Sequence, residues 1–209
     1  MKKGLGCLAA VVVVVVILAV MVGGSYNRLV GLSQAADAQW AQVESVYQRR
    51  ADLIPNLVAT VQGAANFEKS TLEAVTAARA SVGKVQVNAA NLPNDPQAFA
   101  KFEQAQAGLS SALSRLMVVV ERYPELKANA NFQTLQTQIE GSENRITVER
   151  MRYNEVAQAY NTARLKFPTN LFASMFGFKE KAYFKAAPGS DRAPAVEFDF
   201  RNPAPATTP

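Results

Sequence analysis

Apolar positions along this chain follow two patterns. From Leu5 to Val22 they are continuous, with Val11 to Val16 at the centre and no charge. At 1.5 Å per residue such a helix is about 27 Å long, close to the hydrocarbon thickness of a bilayer. Beyond Gly24 the apolar positions become periodic. A three-four rhythm runs from Leu29 through Ala36, Trp40, Val43, Tyr47, Arg50, Ile54, Leu57 and Val61. After one stutter it resumes at Ala65, Glu68, Leu72, Val75, Arg79 and Val82. A second stripe takes in Phe99, Phe102, Gln106, Leu109, Leu113, Leu116, Val120 and Tyr123. A third takes in Phe132, Leu135, Ile139, Ser142, Ile146, Glu149, Tyr153, Val156, Tyr160, Ala163 and Phe167. Stripes of this spacing predict long helices that need partner helices to cover them.

The breaks are marked by proline. Gly83 to Pro96, Tyr123-Pro124 and Phe167-Pro168 read as stops, because proline disfavours helix in the residue before it. Pro55 inside the first stretch predicts only a kink. Two readings of that stretch stay open. Unbroken from Tyr26 to Val82 it is a rod of about 85 Å. A break at Gly63-Ala64-Ala65-Asn66, with Asn66 as cap, folds it into a hairpin. With the break, four helices run out, back, out and back, and Phe167 returns to the membrane.

Charge orients the molecule. Lys2 and Lys3 precede the apolar run and are kept in the cytoplasm by the positive-inside rule, which puts the rest outside. Val22-Gly23-Gly24 matches a signal-peptidase site poorly, so the run reads as a retained anchor. Cys7 opens the run rather than following it, unlike a lipobox cysteine. It is the only cysteine, so no disulfide is available. The net charge of +5, two units of which are Lys2 and Lys3, is too mild to imply nucleic acid. The absence of histidine removes Ser-His and Cys-His catalysis, histidine zinc sites and Glu-x-x-His di-iron sites. No glycine-rich phosphate loop occurs. No catalytic residue, cofactor or metal is therefore expected.

Polar residues on the stripes form a candidate network. Arg50, Glu68, Arg79 and Glu149 occupy seam positions, and a buried charge needs a partner. Arg50 with Glu149 is one candidate pair. Arg49, Arg50 and Asp52 lie within one turn before Pro55, which frees a carbonyl near residue 51 for an arginine or for Asn56. Glu143, Asn144, Arg145 and Arg150 form a similar group on the third stretch.

The same residues carry a resemblance. The run Tyr47 to Val58 (YQRRADLIPNLV) resembles the opening signature of the LemA family, as does Phe67-Glu68 through Ala78-Arg79. Leu113 to Asn129, Asn131-Phe132, Leu135-Gln136, Glu143 to Ile146, Arg150, Tyr153-Asn154, Tyr160-Asn161 and Phe167-Pro168 continue it in order. It covers roughly residues 26–198. It implies an N-terminal anchor and an antiparallel four-helix bundle, which favours the break near Gly63. It implies little biochemistry, since the family has no settled molecular activity. A magnetosome-membrane protein among the family's members points to scaffolding or membrane organisation. Glu149 departs from the pattern, which expects a small residue there.

Residues 164–185 differ in kind. Lys166, Phe172, Phe176, Phe178, Lys179, Lys181, Tyr183, Phe184 and Lys185 mix bases with aromatics and are candidates for membrane or partner contact. Leu171 to Phe178 reads as a short helix capped by Asn170. From Ala186 the chain turns proline-rich, with Val196 to Phe200 alternating like a short strand.

The expected fold is all-α: an N-terminal transmembrane helix, then an antiparallel up-and-down four-helix bundle with long coiled-coil-like helices. The segments are a cytoplasmic N-terminus (1–4), the anchor (5–24), the bundle (25–185) and a flexible tail (186–209). The expected role is a non-catalytic scaffold at the bacterial cytoplasmic membrane, N-terminus inside and bundle outside, acting by self-association or partner recruitment. The alternative is an adaptor or ligand-binding module serving a membrane protease or other envelope machinery. The expected partners are the bilayer, through the N-terminal helix, and a second copy or another envelope protein.

Overall fold

The computed structural model describes residues 2–64, 67–86 and 89–185. The expected Asn66 cap, the tail and its short strand lie outside the described residues. Among the described residues the fold is all-α. Helix α1 (Lys2–Gln62) is followed by α2 (Lys69–Gln86), a 3-10 segment (Ala89–Asn94), α3 (Pro96–Val120), α4 (Pro124–Lys127), α5 (Ala130–Leu165) and α6 (Asn170–Ala173). The break near Gly63 is present, so the hairpin reading holds. Helices α1, α2, α3 and α5 form the bundle, α1 packing chiefly on α5 and α2 on α3.

Local chemistry sets the helix ends. Asp95 caps α3, its carboxylate accepting from the N–H groups of Gln97 (3.0 Å) and Ala98 (3.1 Å). Pro96 follows as the first helical residue, where a missing N–H costs nothing. Asn129 caps α5 in the same way, accepting from Asn131 and Phe132. The expected Leu171–Phe178 helix shrinks to the single turn of α6, and Asn170 makes no cap. Gly177 stops further helix with φ 77°, a conformation that costs glycine little. This turn sends Phe178 back toward α1.

Helix α1 is continuous from anchor to bundle, 61 residues or about 90 Å. Its apolar residues from Val11 to Met21 are exposed. This is the one stretch among the described residues long and apolar enough to cross a membrane. Pro55 leaves the helix unbroken. The carbonyl it frees belongs to Ala51, and Arg79 of α2 donates to it from Nε at 3.1 Å. Arg79 thus meets a backbone carbonyl rather than a glutamate.

The core comes in three blocks along the bundle. Leu29, Tyr160, Ala163 and Ala173 fill the end nearest the anchor. Trp40, Val43, Tyr47, Phe99, Phe102, Ile146, Tyr153 and Phe184 build a mainly aromatic middle. Ile54, Leu57, Val61, Leu109, Leu113, Leu116 and Ile139 build an aliphatic far end. Trp40 packs on Tyr153 at 5.3 Å, and Arg50 pairs with Glu143. Each pair is ten residues from the other, forward on α1 and backward on α5, which fixes an antiparallel register. Phe167, expected on the seam, is 79% exposed, because α5 has already ended at Leu165.

Candidate functional site

The middle and far blocks meet at a polar layer. Arg50 takes a core position on α1 and is 1% exposed. Its guanidinium donates to Ser110 Oγ (2.8 Å), to Glu143 Oε1 and to Gln106 Oε1, reaching α3 and α5 at once. The Tyr47 ring lies against it at 5.3 Å. Ser110 also donates to Glu143. Two buried donors remain without partners in this layer, Arg50 Nε and Gln106 Nε2. Such donors are costly inside a fold unless something accepts from them.

Beside the layer is a cleft of about 500 Å³, lined among others by Arg50, Glu103, Gln106, Glu143, Arg150 and Lys185. Its carboxylates are engaged. Glu143 holds Arg50, and Glu103 accepts from Arg150 (3.3 Å) and from the Lys185 N–H (3.2 Å). Burial pushes the Tyr47 hydroxyl above its usual pKa, against the pull of Arg150 and Arg50, so it stays protonated. The cleft therefore offers donors rather than a free base or nucleophile. No group of three or more potential metal-ligating side chains occurs among the described residues.

The expected Arg50–Glu149 pair is corrected. The register puts residue 143 opposite Arg50, and Glu149 lies nearly two turns nearer the anchor. There it accepts from Gln39 (2.6 Å) and Arg152 (2.8 Å). Of the other expected network residues, Arg150 lines the cleft, while Arg49, Asn144 and Arg145 flank a separate surface groove between α1 and α5. Asp52 accepts from Gln48 on the surface, and exposed Asn56 takes no part. Glu68 meets Arg122 at 2.8 Å, at the far end. Gln106, Ser110 and Glu103 complete the network unforeseen. Gln106 was discoverable, as a lone glutamine on an otherwise apolar stripe.

The basic-aromatic segment divides in two. Residues 179–185 form an extended strap along α5, gripped by two Tyr-Asn pairs seven residues apart. Tyr160 Oη donates to the Lys179 carbonyl (2.8 Å), and Asn161 brackets Lys181, donating to its C=O and accepting from its N–H. Tyr153 Oη donates to the Ala182 carbonyl (3.0 Å), and Asn154 brackets Phe184 in the same manner. Seven helical residues span about 10 Å, as do three extended ones, so the two ladders match. Burial raises the pKa of both tyrosines and keeps them as donors.

The strap overturns part of the expected membrane contact. Lys181 is buried with its ammonium on Asp37 (2.6 Å), and Phe184 sits in the aromatic core. Phe172 is buried, while Phe178 and Tyr183 are half-buried. Lys166, Phe176, Lys179 and Lys185 remain exposed.

The LemA family sequence profile matches residues 39–198. The chain belongs to the LemA family. It is 31% identical over 181 residues to Magnetosome protein MamQ 1 of Paramagnetospirillum magneticum, covering 79% of this chain and 66% of the relative. Magnetosome protein MamQ of Magnetospirillum gryphiswaldense is 30% identical with the same coverage. Protein LemA of Metamycoplasma hominis is 24% identical over 145 residues, 69% of this chain and 62% of that protein. The chain thus spans slightly less than two thirds of these relatives' lengths. The LemA match takes in the polar layer, the cleft and both Tyr-Asn pairs.

Proposed function

We propose that this membrane-anchored LemA-family protein is a non-catalytic scaffold. It sits in the bacterial cytoplasmic membrane with the bundle outside, and works by self-association or by recruiting a partner. The carrying observation is α1 itself, which joins anchor and bundle as one helix and supports a fixed mounting for the bundle. Engaged carboxylates in the cleft and relatives named for a magnetosome rather than a reaction support the non-catalytic part. The test is the mass of the full-length protein in native-like membrane discs, followed by crosslinking in intact cells. Stable oligomers or a reproducible crosslinked partner are expected. A protein monomeric in discs that crosslinks to nothing in cells refutes the scaffold.

The unpartnered Arg50 Nε and Gln106 Nε2 favour one second reading, an adaptor whose cleft takes an acceptor-rich ligand or peptide. Arg150→Ala then abolishes partner crosslinking, and Glu103→Gln, which weakens the same ion pair but keeps the Arg150 guanidinium in the cleft, retains it. Unchanged crosslinking removes this reading.

A further inference from the structure

Exposed apolar side chains are unevenly distributed. Among the described residues, nine large ones outside the anchor's Val11–Met21 run are exposed. Val118, Val148 and Met151 are scattered over the bundle. The other six, Tyr26, Leu165, Phe167, Leu171, Met175 and Phe176, gather at the end where α1 enters the bundle. Leu171 and Met175 are 66% and 78% exposed although they flank buried Phe172 and Ala173. The α6 turn thus buries one side and presents apolar groups on the other.

Two ring contacts locate this collar. Tyr26 packs edge-on against Phe176 at 5.3 Å and Phe178 at 5.6 Å. Tyr26 lies four residues beyond Val22, the last of the apolar run, or about 6 Å along the helix. The headgroup layer on each side of the hydrocarbon is about 5–8 Å deep. The collar is therefore level with the headgroups of whatever bilayer α1 crosses. Charge agrees with depth. Arg28, Lys166 and Lys179 are exposed around the collar, Arg164 is half-exposed, and residues 164–179 contain no acidic residue. Apolar side chains ringed by bases suit an interface with anionic headgroups.

We propose that Leu165 to Phe176 is a second membrane foot, which inserts Leu165, Phe167, Leu171, Met175 and Phe176 into the outer headgroup region beside the anchor. The occupant of this face is the lipid surface, because the face is continuous with the anchor through Tyr26. The inference rests on α1 spanning the membrane, and the experiment separates the two.

The test uses full-length protein in discs containing anionic lipid. In a Cys7→Ser background, single cysteines replace Val15, Leu171, Met175 or Val118 and carry an environment-sensitive fluorophore. All four side chains are exposed, so the fold is retained, and circular dichroism checks this. Lipids with quenchers near the headgroup or deep in the acyl chain report depth, and aqueous iodide reports water contact. Deep quenching is expected at 15, and a severalfold loss of fluorescence to shallow quencher at 171 and 175. At 118 only iodide quenches. If 171 and 175 behave like 118 while 15 is quenched deeply, the foot is refuted and the anchor stands. If 15 is not quenched by lipid, the anchor fails and takes the foot with it. If 171 and 175 are shielded from both quenchers only in discs holding two copies, a second copy covers the face and the proposal falls.

Discussion

Replacing Arg50 by methionine tests whether the polar layer holds the bundle together. Methionine keeps much of the apolar stem and removes every donor. Three acceptors lose their partner, unequally. Gln106 is 5% exposed, so its carbonyl stays dry and unpaired, at about 1–3 kcal/mol. Glu143 is 38% exposed and takes water, so its cost falls well short of the 3–5 kcal/mol typical of breaking a buried pair. Ser110 keeps its bond to Glu143. The total is about 2–4 kcal/mol, which for a bundle of this size lowers Tm by roughly 5–15 °C. Trp40, the only tryptophan, packs on Phe99, Phe102, Tyr153 and Phe184 and reports on the middle block. Unfolding of the full-length protein in detergent, followed by Trp40 fluorescence and far-ultraviolet circular dichroism, supplies the numbers. Adding Gln106→Leu to Arg50→Met removes the stranded carbonyl and restores about 1–2 kcal/mol. The reasoning is refuted if Arg50→Met lies within about 0.5 kcal/mol of the parent, or if Gln106→Leu makes it worse.

Asn161→Leu strands the N–H and C=O of buried Lys181 and costs about 2–4 kcal/mol, with faster hydrogen exchange at the Lys181 and Phe184 amides; unchanged exchange contradicts the strap's docking. Arg79→Met costs about 1 kcal/mol in the parent but almost nothing with Pro55→Ala, which returns a helix N–H to the Ala51 carbonyl; equal costs in both backgrounds sink this account. The Glu44 carboxyl has its pKa raised by burial, against the opposing hydrogen bond from Trp40. Such a group binds its proton more tightly when folded, so its contribution is fully present below the unfolded pKa and is lost as pH rises through the folded one. Glu44→Gln should therefore leave stability near pH 4 unchanged and raise it at pH 7, and a variant less stable at pH 7 reverses the sign.

Much of the bundle was legible from periodicity. The stripe from Leu29 through Val61 is buried at every named position, including Arg50, because a long helix with one covered face leaves no other solution. Prolines marked the later breaks, around Pro96 and Pro124 and within a few residues of Pro168, whereas the break near Gly63 carries none and Pro55 leaves α1 unbroken. Partner choice was less legible. Helix α5 carries four glutamates, and the register marked by the edge-on packing of Trp40 against Tyr153 is what brings Glu143 to Arg50. The strap was harder still. Lysine at 181 reads as solvent-exposed, and its burial depends on Asp37, 144 residues away in sequence, and on an asparagine bracket that leaves no periodic trace. The exposed collar was obscured for the opposite reason. Phe167 keeps the stripe's rhythm, but the helix stops two residues before it.

Because α1 is one helix from anchor to bundle, any tilt of the anchor is carried rigidly into the bundle. Gly24 to Gln62 is a shaft of about 57 Å. Helices adjust to bilayer thickness by tilting, commonly through about 20°, and a tilt of that size about residue 24 sweeps the far end through about 20 Å. In a bilayer that α1 crosses, a thickness change of a few ångströms taken up by tilt would become a displacement several times larger at the far tip, where Phe67 packs against Tyr123.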